Sequence, residues 1–484
     1  MLLVTIVAIP LFMTLVTALN PWRAWIGRLS AAANVAVLIL GAWLGVQTMS
    51  GARVAAARLL RADSLSAVMV LVIAAVAVLA TSFSAHTMGR EIDAGATTRR
   101  HARQYLLWLQ VFISAMLIAV LSANLGVVWV CVEATTIATT FLVSHRRTSG
   151  AFEASWKYVI ICSVGIALAF LGTVLIYYAQ LHAGAGSTSL NWTSLMAVAR
   201  QLNPAVTRLG FAFVVLGYGT KVGLVPMHSW LPDAHSQAPA PVSALMSGVL
   251  LSVAFYALLR FRAVAELALG PSFPRTVLLI VGVASLVVAT AALIAQRDLK
   301  RMLAYSSIEH MGLMAIGAAV GSPLAVAAVL LHILGHGVTK AVLFLSAGEI
   351  YTLEGSTEIS ELSGLLTRRP ALGSVFGVGL VSLLALPPFS LFVSELTMFR
   401  AEVDAGLAWV VALSLACLAV IFASVLRHGR HVLLGARERA TPADSRGRAT
   451  IAVLVVALVL VAGLGLSSWP LSPLLWHAAH LVTP

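Results

Sequence analysis

Hydrophobic stretches of roughly twenty residues recur from one end of the chain to the other, with short polar segments between them. Each stretch is long enough to cross the hydrocarbon core of a bilayer as an α-helix. The pattern predicts an all-α polytopic membrane protein with about fourteen transmembrane helices. The predicted spans are residues 2–20, 29–48, 64–85, 104–123, 124–145, 155–179, 206–227, 240–262, 274–295, 300–320, 323–350, 372–400, 405–427 and 449–468.

The two ends of the chain differ from this repeating pattern. The first apolar run has no basic residue before it and no small-residue cleavage site, which favours a retained span over a signal peptide. Residues 467–484 are rich in proline and too short for a further span. We therefore expect an interfacial tail after the last helix.

Composition supports the assignment to the membrane. The 484 residues are 60% hydrophobic and 10% charged, and no soluble domain of any size fits between the spans. The net charge of +13 does not indicate a nucleic-acid partner, because roughly twice as many basic residues fall on one set of alternating loops as on the other. The positive-inside rule then places both termini outside the cytoplasm, in a multi-pass protein of the cell membrane surrounded by lipid.

The lysines are distributed differently from the arginines. The chain contains four lysines, and three of them, Lys157, Lys221 and Lys340, fall in or at the edge of apolar spans. Arginine stays protonated in proteins, whereas a buried lysine can be tuned to release its proton near neutral pH. This distribution indicates that the intramembrane lysines serve a different chemistry from the loop arginines.

Two ionisable residues of the first half lie inside predicted spans, where charges are costly and usually mark ion pathways. Glu133 lies well inside the fifth span, and a buried carboxylate needs a partner, for which a lysine is the natural choice. Lys221 lies in the seventh span, five residues before Pro226, where a helix break admits polar groups and water. The alternatives are a structural carboxylate bonded to Thr135 or Thr136, and a lysine that snorkels to the interface.

The second half carries a comparable set. His332, His336 and Lys340 are spaced by four residues in the eleventh span and share one helix face, with a rise of about 6 Å per step that water can bridge for proton hopping. Histidine can adopt either protonation state near neutral pH. Glu395 follows the pair Pro387–Pro388 in the twelfth span. The alternatives are satisfied core histidines, a metal site without an evident third ligand, and a helix-end carboxylate facing water.

One broken span with an ionisable residue therefore occurs in each half, which is typical of transporters built from inverted repeats. We predict two inverted five-helix repeats, spans four to eight and nine to thirteen, with broken helices seven and twelve. The corresponding units are residues 1–100 (helices one to three), 101–263 (first repeat), 264–428 (second repeat) and 429–484 (a loop, the last helix and the tail).

Weaker candidates lie near span ends or helix breaks. Lys157 is near the start of a span, where snorkelling and a relay role are equally compatible with its position. Glu309 and His310 either extend a path towards the cytoplasm or pack a helix. Three residues that follow Pro226 would lie at the cytoplasmic mouth as entrance or structural groups, namely His228, Asp233 and His235.

The sequence offers no support for a bound cofactor or metal. The three cysteines, Cys131, Cys162 and Cys417, each stand alone within a span, without the spacing of iron–sulfur, haem or zinc ligands. Nucleotide-binding fingerprints are also missing. We therefore expect a chain that performs no redox chemistry of its own.

Four stretches carry a resemblance to a known family: GYGTKVGLVPMHSWLPDAHSQAPAPVSALMSGVLL, LKRMLAYSSIEHMG, LHILGHGVTKAVLFLSAGEI and LALPPFSLFVSEL. They resemble the antiporter-like, proton-pumping membrane subunits of respiratory complex I and the related membrane-bound hydrogenases. The resemblance covers roughly residues 100–400, with the motifs in the expected order. Within that superfamily, WKYVIICSVGIALAFLGTVLIYYA, APAPVSALMSG and AYSSIEHMG are most similar to component F of hydrogenase-4-type complexes.

The resemblance implies roles for the intramembrane residues. Glu133 and Lys221 correspond to the glutamate–lysine pair whose electrostatics gate pumping. The eleventh-helix set corresponds to the central relay, and Glu395 corresponds to the acidic variant of the exit residue. Lys157 corresponds to a sixth-helix lysine of less certain role. One departure is Ser252, which stands where many members carry a lysine or histidine, so the half-channel near the eighth span must rely on solvent or other residues.

The function implied is proton translocation by a membrane subunit of a redox-driven complex, through a relay of buried Glu, Lys and His residues. Its partners would be other membrane subunits and, through them, a soluble redox module. Two alternatives remain open. One is an Mrp-type cation/proton antiporter subunit, and the other is a membrane scaffold coupled to a non-redox module, which Ser252 favours.

Overall fold

A computed structural model describes residues 1–56, 59–183, 189–435 and 448–483, in which helix predominates at 84%. Two short antiparallel strands, Val54–Ala56 (β1) and Leu60–Ala62 (β2), lie between the second and third helices. The α-helices are Leu2–Leu19 (α1), Ala24–Thr48 (α2), Ser64–Asp93 (α3), Arg99–Leu121 (α4), Leu125–Val143 (α5), Ser149–Leu181 (α6), Trp192–Val198 (α7), Pro204–Val222 (α8), Trp230–Gln237 (α9), Ala240–Leu245 (α10), Leu251–Leu269 (α11), Ser272–Ile294 (α12), Leu299–Val320 (α13), Pro323–Glu354 (α14), Leu365–Arg368 (α15), Pro370–Leu383 (α16), Ser390–Asp404 (α17), Ala408–Leu434 (α18), Arg448–Leu466 (α19) and Ser472–Val482 (α20).

The helices confirm a polytopic membrane protein. Among the described residues, ten helices are long and apolar enough to cross a membrane, and α19 with α20, bent by 79°, would make an eleventh. The predicted eighth span is one continuous helical segment, in which α10 and α11 are joined by a π-helical turn, Met246–Leu250. Four arginines that enter the prediction of topology lie outside the described residues: Arg58, Arg437, Arg439 and Arg446.

Polar residues between the apolar runs set where several helices begin. The side chains of Asp63, Asn124, Asn203, Asp298 and Ser322 each accept a hydrogen bond from a backbone N–H in the first turn of the helix that follows. Such caps satisfy donors that have no partner within the helix. The short polar segments thus divide the apolar sequence into separate helices.

The core of the molecule is formed by α3, α11, α13 and α14, whose side chains are mostly buried. α14 lies against α3, α10, α13, α16 and α17, and so contacts elements of both halves. Gly248 in the π-helical turn and Gly337 in α14 allow these two elements to approach closely. A Cβ atom on Gly248 would lie only 2.7 Å from the carbonyl oxygen of Gly337, which is too close for a larger residue. α1, α2, α6, α12 and α18 lie outside this core and expose apolar side chains.

Two helices break inside the apolar region. α8 ends at Val222, because Gly223 adopts a left-handed conformation with φ +85. The predicted span of residues 206–227 is therefore shorter than expected, and Pro226 lies in the connecting segment rather than in the helix. The second break separates α16 from α17 and contains Pro387 and Pro388, where the sequence predicts it.

Candidate functional site

Lys221 lies at the end of α8 and is fully buried. Its Nζ donates hydrogen bonds to the hydroxyl of Thr136 on α5 at 2.9 Å and to that of Tyr158 on α6 at 2.5 Å. The Tyr158 hydroxyl also lies 2.5 Å from Oγ1 of Thr139. The atoms in direct contact with the ammonium group are therefore hydroxyl groups from two neighbouring helices.

Glu133 reaches Lys221 through one hydroxyl group. Thr136 donates to Oε2 of Glu133 at 3.1 Å while it accepts from Lys221, and Ser163 donates to the other carboxylate oxygen at 3.3 Å. The carboxylate and the ammonium do not form an ion pair within 4.0 Å, and the two bonds limit their separation to 6.0 Å, the sum of their lengths. At this range the attraction is about 3 to 4 kcal/mol for an effective dielectric constant of 20.

The connection after α8 holds this arrangement in place. The indole N–H of Trp230 donates to the carbonyl of Thr220 at 2.9 Å, and its ring lies 4.9 Å from that of Tyr158. The backbone N–H of Val225 donates to Ser285 of α12 at 2.9 Å. Polar groups exposed by the helix break are thus satisfied by side chains, as buried backbone requires.

The second group of polar residues lies among α13, α14 and α17. Nε2 of His332 is 3.1 Å from Nδ1 of His310, and Nδ1 of His332 is 2.9 Å from the hydroxyl of Ser394. Nδ1 of His310 lies 3.8 Å from Oε1 of Glu395. His310, given by the sequence only as a weak candidate, therefore lies between the predicted relay and the predicted exit residue.

His336 and Lys340 are also fully buried on α14. The ring of His336 lies 5.1 Å from that of His310 and 6.2 Å from that of His332. Lys340 turns towards α13, where Nζ donates to the carbonyl of Leu303 at 2.7 Å and to the hydroxyl of Ser306. One face of α14 does not contain all the polar contacts, because α13 supplies the groups that contact His332 and Lys340. Glu309, on α13, is buried as well.

Three ligand-type atoms lie close enough to raise the question of a metal. One atom from each of His310, His332 and Glu395 lies within 4.8 Å of the other two. The two imidazole nitrogens, however, are 3.1 Å apart, which is the length of a direct hydrogen bond. We interpret the group as a hydrogen-bonded chain, since this contact already pairs the atoms that would bind an ion.

His235 lies between the two groups. It is fully buried, with its ring 6.1 Å from that of Trp230 and 5.6 Å from that of Phe344 on α14. Neither ring nitrogen has a hydrogen-bond partner among the described residues. This burial fits the structural alternative for His235 better than an entrance group in contact with solvent. Ser252 is buried as well, and its hydroxyl also has no partner in the described chain.

Lys157 and Asp233 belong to an exposed charged cluster. Lys157 is about half exposed and forms ion pairs with Glu153 at 2.6 Å and with Asp233 at 3.2 Å, and Asp233 also pairs with Arg301 of α13. A cavity of about 230 Å³ adjoins these residues. His228 is partly exposed in the segment before α9. Among the described residues Lys157 pairs with these carboxylates and not with the groups around Lys221, so the arrangement supports a surface position for it rather than a place beside the buried lysine.

Sequence reasoning missed three further features. Tyr158 holds Lys221, although a tyrosine in an apolar helix gives no signal of this. Lys300, at the start of α13, is buried and donates to the carbonyls of Ser236 and Ala238 at 2.9 and 2.6 Å. Glu402 is buried, and one of its carboxylate oxygens has no partner among the described residues. Its spacing of seven residues from Glu395 on α17 is the signal that could have found it.

Comparison with known proteins defines the family. The profile of the NADH:quinone oxidoreductase/Mrp antiporter transmembrane family matches residues 122–421, which contain both groups of polar residues. The chain belongs to this family. The resemblance inferred from its motifs is thereby confirmed.

Individual relatives agree with the family assignment. A hydrogenase-4 component F homolog of Methylacidiphilum infernorum is 39% identical over 339 residues, which cover 69% of this chain and 70% of the relative. Hydrogenase-4 component B of Escherichia coli is 29% identical, over 88% of this chain and 64% of its own length. A chain in the archaeal membrane-bound sulfane sulfur reductase has the same fold, with a TM-score of 0.86, 24% identity, and coverage of 100% of this chain and 97% of the other.

Proposed function

We propose that this chain is the proton-translocating membrane subunit of a multi-subunit, redox-driven complex of the hydrogenase or NADH dehydrogenase type. The names of its relatives and the membership of its family support this class of complex. The observation that carries the proposal is Lys221, a fully buried ammonium held by two hydroxyl groups, with a carboxylate one hydroxyl away. Such a group is costly in a membrane protein and is typical of a proton pathway.

In the first step, Glu133 controls the charge of Lys221. The carboxylate attracts the ammonium with about 3 to 4 kcal/mol at an effective dielectric constant of 20. Glu133 is partly exposed beside apolar side chains of α5 and α6 such as Val130 and Ile160, where a neighbouring membrane subunit would lie. A change in that subunit that weakens the attraction leaves the desolvated ammonium less favourable, and Lys221 releases its proton.

In the second step, the proton passes to the second half of the molecule. His235 is the buried titratable group between Trp230, beside the Lys221 site, and Phe344, one turn from Lys340. It provides the proton-carrying group that Ser252 cannot provide. The remaining gaps require water, which polar cavities inside proteins commonly hold.

In the last step, the proton leaves through the histidine group, which consists of His310, His332 and His336. Lys340 with His336 receives it, His310 and His332 pass it across α13 and α14, and Glu395 accepts it. Glu402 lies two helical turns further along α17, about 10 Å away. Its burial and its unpartnered oxygen support a role as the outward end of the path.

The proposal includes the topology of the chain in the cell membrane. Together with the ten helices and the bent pair, α8, α13 and the broken α16–α17 would complete fourteen spans. The helices of residues 101–263 and 264–428 would form two inverted repeats, each with one broken helix, preceded by residues 1–100 and followed by residues 429–484. Both termini would lie outside the cytoplasm, and other membrane subunits would connect the chain to a soluble redox module.

A pair of substitutions tests the proposal. Lys221→Met removes the amine, whereas Lys221→Arg keeps a positive charge that is not released at physiological pH. In complexes purified with all subunits and reconstituted into liposomes, both variants should abolish proton uptake while assembly remains intact. A normal rate in Lys221→Arg would show that only a fixed charge is needed, and a normal rate in Lys221→Met would refute the proposed function.

A second candidate is cation/proton exchange, because the family includes the Mrp antiporter. The same liposomes distinguish the two functions. Proton movement that needs the redox substrate and is unchanged when sodium is replaced supports the redox-driven pump. Movement that follows an imposed sodium gradient without a redox substrate supports the antiporter.

A further inference from the structure

A cavity of about 450 Å³ lies at the end of the molecule where α12 and α18 reach their last turns. Its lining includes Arg297, after α12, and Arg427, His428 and His431 of α18, with Glu358 as the one acidic residue among them. We refer to it as the α12–α18 cavity. It is separate from the residues that hold Lys221 and from the histidine group.

The cavity lies at the boundary between an apolar and a charged part of the surface. Ile280, Val287 and Ile294 are spaced by seven residues along α12 and are 64, 43 and 47% exposed. This spacing places them on one face of the helix. Ile294 is the last residue of α12, and Arg427 donates from α18 to its carbonyl at 3.0 Å. An exposed apolar stripe therefore ends where the cationic lining begins.

One buried side chain in the lining has a ring nitrogen without a partner among the described residues. His428 is only 8% exposed, and its Nδ1 atom has no hydrogen-bond partner among the described residues. Its Nε2 atom lies 3.4 Å from the guanidinium of Arg427. A buried polar atom without a partner carries a free-energy cost unless a ligand or water satisfies it. An oxygen-rich anion in the cavity would supply such a partner.

We propose that the α12–α18 cavity binds the phosphate of an anionic phospholipid whose acyl chains lie along the apolar stripe of α12. Arg297 and Arg427 provide the positive charge, and His428 provides a further donor. Basic pockets between transmembrane helices at the membrane surface are suited to anionic headgroups. The stripe of Ile280, Val287 and Ile294 favours a lipid over a soluble phosphate, because it continues the cavity into the hydrocarbon region.

Removing a positive or a negative charge from the lining should change the lipid affinity in opposite directions. Arg297→Gln should lower the affinity for phosphatidylglycerol about fivefold, which corresponds to the removal of one cationic group near the membrane surface. Glu358→Gln should raise the affinity by a similar factor, because it removes the acidic residue of the cavity. Arg430→Gln is the matched control, since Arg430 is an exposed arginine of α18 that does not line the cavity. It should change the affinity less than twofold.

The measurement is native mass spectrometry of the complete complex, delipidated and titrated with phosphatidylglycerol or with phosphatidylethanolamine. A preference for phosphatidylglycerol that falls in Arg297→Gln and rises in Glu358→Gln supports the proposal. Equal binding of both lipids, or equal effects of all three substitutions, would overturn it. So would displacement of the lipid by inorganic phosphate at the same concentration, which would indicate a free-anion site. None of these results depends on proton translocation, so failure here is distinguishable from failure of the proposed function.

Discussion

The Lys221 site and the histidine group differ in their side chains, in their burial and in the roles that we propose for them. Lys221 is held by hydroxyl groups, and its carboxylate, Glu133, is partly exposed at the edge of the chain. His310, His332 and His336 are fully buried, and their rings lie 5.0 to 6.2 Å apart. The first arrangement suits a charge that a neighbour can control, and the second suits transfer of a proton between similar groups.

Beyond the loss of Lys221 itself, the largest expected effect comes from breaking the histidine group at its centre. His310→Phe keeps a ring of similar shape but removes the nitrogen that approaches His332 and Glu395. Proton translocation should fall about a hundredfold, the usual range for loss of a positioned proton-transfer group. The rate is measured with a pH-sensitive dye in liposomes that contain the complete complex.

His145→Phe is the matched control, because His145 packs against Tyr105 outside both groups. It should leave the rate within about twofold. A His310→Phe complex that pumps at the normal rate would show that protons leave by a route independent of the histidine group.

A smaller effect should distinguish His235 from Ser252. His235→Phe removes the only titratable side chain proposed for this gap, and the translocation rate should fall about tenfold, since water can replace part of the path. Ser252→Ala removes a buried hydroxyl without a partner in the described chain, and the rate should be nearly unchanged. If Ser252→Ala proves the more damaging, the proton passes near Ser252 and the place given to His235 is wrong.

The smallest effect is expected from the hydroxyl that links Glu133 to Lys221. Thr136→Val keeps the shape of the side chain and removes the hydroxyl that bonds to both Glu133 and Lys221. Proton uptake should then slow about fivefold, or near 1 kcal/mol. Thr135→Val is the control, because among the described residues the neighbouring hydroxyl donates only to the carbonyl of Val132 in its own helix. Equal initial rates of uptake in the two variants would remove the hydroxyl from the mechanism.

Both the helical membrane fold and most of the buried ionisable groups can be predicted from the sequence, because both depend on the contrast between apolar and charged residues. Charged residues are rare in apolar spans, so Glu133, Lys221, Lys340 and Glu395 are conspicuous. Thr136 is one of the hydroxyl partners that the sequence offers to Glu133, but its contact with Lys221 depends on a distance between two helices. The sequence therefore predicts Glu133 and Lys221 as partners without predicting the hydroxyl that lies between them.

The remaining differences also come from contacts between helices. His310 is central because α13 packs against α14. A sequence pattern within one helix cannot predict such a contact between two helices. Lys300 resembles an exposed loop lysine, yet it satisfies two carbonyls at the C-terminal end of α9. The end of α8 is set by Gly223 rather than by Pro226, and here a glycine after a helical pattern was a usable signal.

The most direct test of the central claim is a double-mutant cycle between Glu133 and Thr136, with the rate of proton uptake through Lys221 as the measurement. If Glu133 acts on Lys221 through the hydroxyl, Glu133→Gln should slow uptake less in the Thr136→Val complex than in the unmodified one. The coupling between the two substitutions should be about 1 kcal/mol. Effects that add within about 0.5 kcal/mol would contradict the account, because the carboxylate would then act independently of Thr136.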